Sequence, residues 1–449
     1  MKPLASLDLR KQVSSLGLQV IRKPVAISLL ITLMAIISLW PFADGEDVAN
    51  SRENILNGER TDFWGGFSQF FYSLWGLGAP TWHIILGLIQ ALLVLAGTVI
   101  ALQNLGSSLR SKAILIPLFL LHYLATIYVL NLSRDATLLA FLWIGIVLLF
   151  RITDSSRNSL PIAVIAILLI CIGFAFRPWL AIAFTPIVLT LIYLSRKPSR
   201  DWRKIVSFTF IFLMLSAGPL ALDLTSKNSM KLEDSYPEQQ VMILDIASMV
   251  CLSADKSTQL VALKALDPIS NSSTLSRERL CGQFYPQSWA SLTFYSNPND
   301  PALRMIGVNE KSTYESLRRS WLELLASNPM DYLQIKVFQF SQLFLAGDSI
   351  RIYPDTFKQL FLIPYESIKA LRLLSFAPAL LLISWLTFSS RFKAEVRIRR
   401  SLLITYLLSI GIVTVAFIGD NQRYISWLAI LILFSFINAN SFKLSREAL

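Results

Sequence analysis

The chain reads as an all-α polytopic membrane protein, with about ten transmembrane helices and one external domain inserted between them. Three observations predict this. Apolar residues make up 54% of the 449 residues and charged residues only 16%, with a mean hydropathy of +0.54. The apolar residues are gathered in repeated runs near the roughly 20 residues that cross a ~30 Å hydrocarbon core. The short connections between runs carry most of the Lys and Arg on one side, as the positive-inside bias requires. The formal net charge of +12 therefore reports topology, not a nucleic-acid partner. Three cysteines without Cys-x-x-Cys spacing and two isolated histidines argue against a zinc site.

Residues 1–24 form a basic cytoplasmic N-terminus with Arg10, Lys11, Arg22 and Lys23. Span one, Val25 to Ala43, is longer than a signal-peptide core and lacks an Ala-x-Ala site, so it is expected to stay uncleaved. The first external loop, 44–80, opens with Asp44, Glu46, Asp47, Arg52 and Glu53. It continues into the aromatic run Phe63 to Trp75, which suits an interfacial helix or re-entrant turn, or an ordinary aromatic belt. Spans two to seven are expected at Trp82–Leu102, Ala113–Leu130, Ala136–Phe150, Leu160–Phe176, Leu180–Leu194 and Ile205–Leu224. Their cytoplasmic connections hold Arg110 and Lys112, Arg151 and Arg157, and the dense basic stretch from Arg196 to Lys204.

Residues 225–367 form the external domain: polar, rich in Asn, Ser and Pro, and without a long apolar run as far as about residue 334. Cys251 and Cys281 both lie in it and form a disulfide in an oxidising compartment, two buried thiols being the alternative. Tyr332 to Leu345 carries polar residues at helical spacing and reads as an amphipathic helix on the outer surface, with a second such helix at 358–367. Spans eight to ten follow within 368–440, at Ile368–Phe388, Leu402–Ile418 and Tyr424–Phe436. Arg391, Lys393, Arg397, Arg399 and Arg400 mark the cytoplasmic turn between the first two, and 441–449 is a cytoplasmic tail.

Sorting the charges by side gives the functional reading. The external turns hold Asp44, Glu46, Asp47 and Arg52; Arg134 and Asp135; Arg177; and Asp420 and Arg423. Arginine in a short external turn runs against the positive-inside trend, and three turns each carry one. A guanidinium fork suits phosphate, through two parallel charge-assisted hydrogen bonds. A carboxylate among arginines at a membrane surface is equipment for a reaction on a lipid phosphate: the acid takes a proton from an attacking hydroxyl while the arginines stabilise the leaving phosphate. Local pairing of Arg134 with Asp135, or Arg177 bound to a backbone carbonyl, is the structural alternative. His122, in mid-span, reads as a satisfied core residue, and His83 at the outer end of span two is left open. The spans otherwise lack buried charges, which weighs against an ion-driven carrier.

The acidic stretch Asp44-Gly-Glu-Asp47 with the following run to Gly58, Ser133-Arg-Asp-Ala136 entering span four, Arg177-Pro178, and Gln422-Arg423-Tyr424 entering the last span together resemble the GT-C superfamily of integral-membrane glycosyltransferases. That group includes protein O-mannosyltransferases and lipid A aminoarabinose transferases. The resemblance covers residues 20–225 and 368 to the end. It implies an inverting glycosyltransferase, a hexosyl- or pentosyltransferase that uses a polyprenyl-phosphate-linked sugar and a glycan, lipid or protein acceptor. The site would face outward from a bacterial inner or plasma membrane. Asp44 matches the position of the family's catalytic base, but Gly45 separates it from Glu46 and Asp47, so Asp44 and Asp47 both stand as candidates. Arg134, Arg177 and Arg423 are the expected lipid-phosphate ligands. A divalent metal between Asp44 and Asp135, as in some relatives, is a further expectation. No Gly-rich nucleotide loop is present, in keeping with a donor already activated on lipid. A lipid-linked oligosaccharide polymerase or ligase, and a lipid or polysaccharide transporter, are the alternatives.

Overall fold

The computed structural model describes residues 23–40, 42–44, 57, 65–74, 82–103, 109–154, 159–195, 201–236, 238–270, 275–284, 292, 303, 310–345, 376–389, 396–416 and 422–447. Among these the chain is almost wholly helical. In chain order the helices of the apolar body are Lys23–Leu39 (α1), Gly66–Leu74 (α2), Trp82–Gln103 (α3), Leu109–Leu130 (α4), Arg134–Asp154 (α5), Ser159–Ala175 (α6), Ala181–Ser195 (α7) and Asp201–Met230 (α8). Gln239–Leu252 (α9), Lys256–Ala265 (α10), Arg277–Gln283 (α11), Lys311–Ser327 (α12) and Pro329–Leu345 (α13) build the inserted domain. The chain returns to the body with Phe376–Phe388 (α14), Val396–Ala416 (α15) and Gln422–Glu447 (α16).

Among the described residues three helices are long and apolar enough to cross a membrane: Trp82–Gln103, Arg134–Ile152 and Thr209–Met230. Each of the other expected apolar runs also contains a helix, shorter in its apolar part or broken by charge. Span one is the largest departure. Its helix stops at Leu39, and Ala43–Asp44 is a two-residue strand (β1) paired in parallel with Asn131–Leu132 (β2). The second amphipathic helix expected at 358–367 lies outside the described residues.

Helix α5 is the axis of the body. Ala136, Leu138, Leu139, Ala140, Leu142, Trp143, Ile146 and Val147 are all buried, so it is apolar all round, as a helix with neighbours on every side must be. It packs on α3, α4, α6, α7 and α16. Small residues permit the close approach: a Cβ on Gly97 would lie 2.6 Å from Trp143 Cδ1, and one on Gly145 would lie 2.8 Å from Ile170 Cγ1. The outer helices turn large apolar side chains outward, among them Leu29, Leu30 and Leu33 on α1 and Phe210 and Leu213 on α8. That is the surface a hydrocarbon solvent selects.

Some of the polar groups inside the body form a connected network. His122 Nδ1 lies 3.0 Å from Thr98 Oγ1, and its Nε2 lies 3.0 Å from Thr32 Oγ1 and 3.1 Å from the Ser28 carbonyl. Trp143 Nε1 donates to the same Thr98 hydroxyl at 3.2 Å. His122 is therefore a core residue tying α1, α3, α4 and α5 together. At the basic end, Arg399 Nη1 donates to the Ser389 carbonyl at 2.7 Å, just beyond the end of α14. This cation satisfies a carbonyl that the helix leaves open.

The inserted domain has its own core of Met242, Ile243, Leu244, Ile246, Leu280, Leu303, Leu317, Leu324 and Ile335. A disulfide links Cys251 to Cys281, their Cα atoms 5.5 Å apart. Asp255 caps α10 by accepting from the Ser257 and Thr258 amides, and Ser276 caps α11. Asn328 alone separates α12 from α13. Pro329 both stops the first helix and suits the first position of the second.

At the centre of this domain Asp245 is fully buried, with Lys336 Nζ 2.7 Å from Oδ1 and Trp321 Nε1 donating to Oδ2 at 3.2 Å. The ammonium contact is an ion contact and lacks the directionality of a hydrogen bond. Burial pushes the Asp245 carboxyl above its ordinary range, against the opposing pull of Lys336, Trp321 and Tyr332. Breaking such a pair from one side strands the other charge. Asp245→Asn should therefore destabilise the domain by about 3–5 kcal/mol, and the double change Asp245→Leu/Lys336→Met should recover most of the loss. Hydrogen exchange along α9 in the full chain checks this; equal losses in the single and double variants would refute it.

Candidate functional site

The site is assembled from turns at one end of the helical body, and the turn after α1 comes first. Phe42 is left-handed, with φ +72°, which costs roughly 1–3 kcal/mol in a non-glycine residue. Two contacts hold it there. Its amide donates to the Leu39 carbonyl at 2.6 Å, and its ring lies over the bare Cα of Gly87, where a Cβ would stand 2.5 Å from Phe42 Cδ2. The reversal sends Ala43 and Asp44 into β1, in register with Asn131 and Leu132. The acid-bearing loop is thus bound by its backbone to the turn that carries Arg134 and Asp135. The side chain of Asp44 lies outside the described residues, as do Glu46, Asp47, Arg52 and Glu53.

Asp135 and Arg177 form the second part. Asp135 stands in the first turn of α5 and is fully buried; Arg177 precedes the short 3-10 turn Pro178–Leu180 and is nearly so. Arg177 Nε donates to Asp135 Oδ1 at 2.9 Å and Nη2 to Oδ2 at 3.3 Å. The two-pronged geometry is the one expected for a phosphate, here spent on a carboxylate within the chain. Arg177 thus fixes the start of α5 relative to the α6–α7 turn. Both oxygens of Asp135 already accept from a guanidinium, and a cation there would meet that positive charge. Asp135 therefore does not fit the expected metal-ligand role. Among the described residues no group of three or more His, Cys, Asp and Glu side chains could hold an ion.

Arg134, half-buried, points elsewhere. A Cβ built on Gly65 would lie 3.7 Å from Arg134 Nη1, 3.6 Å from Asp223 Oδ1 and 3.6 Å from Ser68 Oγ, so these three polar groups surround one point. Asp223 Oδ1 accepts from the Phe67 amide at 2.8 Å. It caps α2 from across the fold and sets an anion at that helix's positive end. Gly65 is left-handed at φ +83°, and Gly66 lies so close to α8 that a Cβ would be 2.7 Å from the Asp223 carbonyl and the Lys227 amide. The aromatic run expected near the interface is therefore a helix clamped into the body. Phe67 and Phe71 pack on Phe176 at centroid distances of 5.1 and 5.2 Å, and Tyr72 packs on Trp82 at 6.2 Å. Beneath it, Gln90 Nε2 donates to Thr137 Oγ1 at 2.7 Å and the Tyr72 hydroxyl lies 3.3 Å from the same atom.

Arg423 comes to the same end. The Thr190 and Ser401 hydroxyls are 2.6 Å apart and Arg397 stacks over Tyr193, so the last turns of α7 meet the first turns of α15. Helix α15 thus runs back toward the end where α7 began. The first turn of α16, which contains Arg423, follows there after a short connection. The Arg423 side chain, Asp420 and Asn421 lie outside the described residues. The backbone therefore gathers Asp44, Arg134, Asp135, Arg177 and Arg423 at one end of the body. Asp223 joins them although no sequence motif marks it: it sits seven residues before the end of α8, within an apolar run.

Comparisons with family models, with characterised proteins and with solved structures find no match.

The seating of Phe42 on Gly87 yields a direct test. Cysteines at Ala43 and Asn131, which are register partners, should cross-link readily under mild oxidation. Adding Gly87→Ala should push the Phe42 ring out and reduce the yield severalfold. An unchanged yield would mean that the β1–β2 pairing does not depend on this contact.

Proposed function

We propose that the protein is a membrane glycosyltransferase. In this reading it moves a sugar from a polyprenyl-phosphate donor to an acceptor on the outer face of the membrane. The observation that carries the reading is the β1–β2 pairing, which ties the loop bearing Asp44 to the turn bearing Arg134 and Asp135 at the end of an apolar helical body. A carboxylate and guanidinium groups held together there suit chemistry on a lipid phosphate. The Cys251–Cys281 disulfide favours an oxidising compartment for the inserted domain, on the same side as this site. In the full arrangement the apolar runs make ten spans and leave both termini in the cytoplasm.

The reaction follows from those parts. Asp44, with Asp47 as the alternative base, accepts the proton of the acceptor hydroxyl. The hydroxyl oxygen then forms a bond to the anomeric carbon from the face opposite the phosphate. The bond from that carbon to the phosphate oxygen breaks, and its electron pair leaves with polyprenyl phosphate. Arg134 and Arg423 stabilise the growing charge on that phosphate. Arg177 contributes by holding Asp135, and through it the start of α5. Membrane lipids supply the donor's solvent, and no nucleic acid takes part.

Four outcomes follow. Asp44→Asn is nearly isosteric and should lower turnover of a polyprenyl-phosphate hexose or pentose in proteoliposomes by about 10²–10⁴-fold while the protein still expresses. Full activity would remove this loop from the site. Arg134→Ala should weaken donor use about tenfold to a hundredfold with the fold intact, and Arg134→Lys should restore part of it. Arg177→Ala should instead lower the yield of folded protein by stranding buried Asp135, a loss of about 3–5 kcal/mol. A well-folded Arg177→Ala protein defective only in donor binding would return Arg177 to the phosphate. Cysteines placed at Ser155, Ser199 and Lys393 should resist an impermeant thiol reagent in intact cells, and those at Asn271 and Asn421 should react. Labelling at Ser199 would overturn the ten-span arrangement.

A further inference from the structure

Helix α13 has two faces with opposite demands. One is seated on α9 through three polar contacts: Ser253 Oγ donates to Asp331 Oδ2 at 2.5 Å, Lys336 meets Asp245 at 2.7 Å, and Gln339 Nε2 donates to Ser248 Oγ at 3.1 Å. Ile335 is buried among them. These contacts prevent the helix from rolling about its axis. The face turned away carries Met330, Leu333 and Val337, spaced three and four apart and therefore in one line. They are 63%, 54% and 59% exposed. A row of large apolar side chains beside the exposed Gln334 is what a helix presents when it lies along a membrane surface.

The same helix touches α14 and α15, helices of the apolar body. On α14, Leu381 and Trp385 face outward at 71% and 52% exposure, so α13 packs on a body helix whose own outward face is apolar. By contrast Leu260 and Val261 on α10 are equally exposed but belong to a helix whose main packing partners are α9 and α12 of the inserted domain.

We propose that the Met330–Leu333–Val337 face of α13 rests on the lipid surface and holds the inserted domain against the bilayer in one orientation. The occupant is lipid, because α13 is packed against two body helices whose own outward faces are apolar. Lys336 and Asp245 set which face points down. This inference needs the membrane and not the transferase reaction, so either can fail without the other.

The test uses the full chain in nanodiscs, with Cys171→Ser to remove the free thiol and a nitroxide attached in turn to cysteine at 330, 333, 337 and 260. Dissolved oxygen concentrates in lipid and a charged nickel chelate stays in water. Labels at 330, 333 and 337 should collide often with oxygen and be shielded from the chelate, while the label at 260 should show the reverse. Chelate access at 330, 333 and 337 equal to that at 260 would place the face in water and overturn the proposal. Labels immobilised and shielded from both reagents would mean that protein covers the face, which overturns it as well.

Discussion

A carboxylate and a guanidinium removed from water together constrain this end of the molecule more than any apolar contact does. Asp135 and Arg177 each lose solvation that the other helps to replace, so the first turn of α5 and the turn before α7 are held in register. Helix α5 is the element on which α3, α4, α6, α7 and α16 all pack, so fixing its start fixes the frame of the body. The strand pair beside it then fastens the end of α1 to that frame. The pair need not add net stability to matter. A pair buried this way penalises every arrangement in which its members part.

Around that anchor the open end is built by close approach more than by side-chain bulk. Gly66 lets α2 press against α8, Gly87 accepts the ring of Phe42, and Gly65 takes a left-handed turn that side chains resist. Each contact places backbone where a larger residue would stand, and each lies next to a charged group: Asp223 and Lys227, Asp44, and Arg134. The polar groups are thus positioned by main chain, which has less freedom than long side chains do. Such rigidity suits a site that must hold geometry against a mobile lipid.

Much of the fold was legible because hydrophobic runs and charge alternation are local signals. The helices sit where the apolar runs lie, the two cysteines of the inserted domain pair, and His122 is a core residue with partners at both nitrogens. What the sequence concealed depends on partners far along the chain. Asp223 caps a helix 156 residues away, and nothing near Leu222 or Leu224 announces it. Arg177 looked like a phosphate ligand because the charge pattern puts its turn on the outer side, but it bonds Asp135, 42 residues earlier. The stop of α1 at Leu39 was hidden because Phe42 and Ala43 are apolar, and hydropathy does not register a left-handed residue. No local pattern couples Lys336 to Asp245, and only the packing of α13 on α9 buries both.

The histidine network also bears on how the chain is inserted during synthesis. Thr32 bonds the Ser28 carbonyl and Thr98 the Val94 carbonyl, each four residues back on its own helix. Helices α1 and α3 can therefore enter hydrocarbon with these hydroxyls already satisfied. The ring of His122 on α4 meets no acceptor of its own helix in this network; its partners are residues 28, 32 and 98, all translated earlier. The helix that most needs company thus emerges from the ribosome after the two helices that supply it. The order of the segments along the chain spares the nascent protein an unmatched imidazole in apolar surroundings, and a permuted chain that made α4 before α1 would lack that protection.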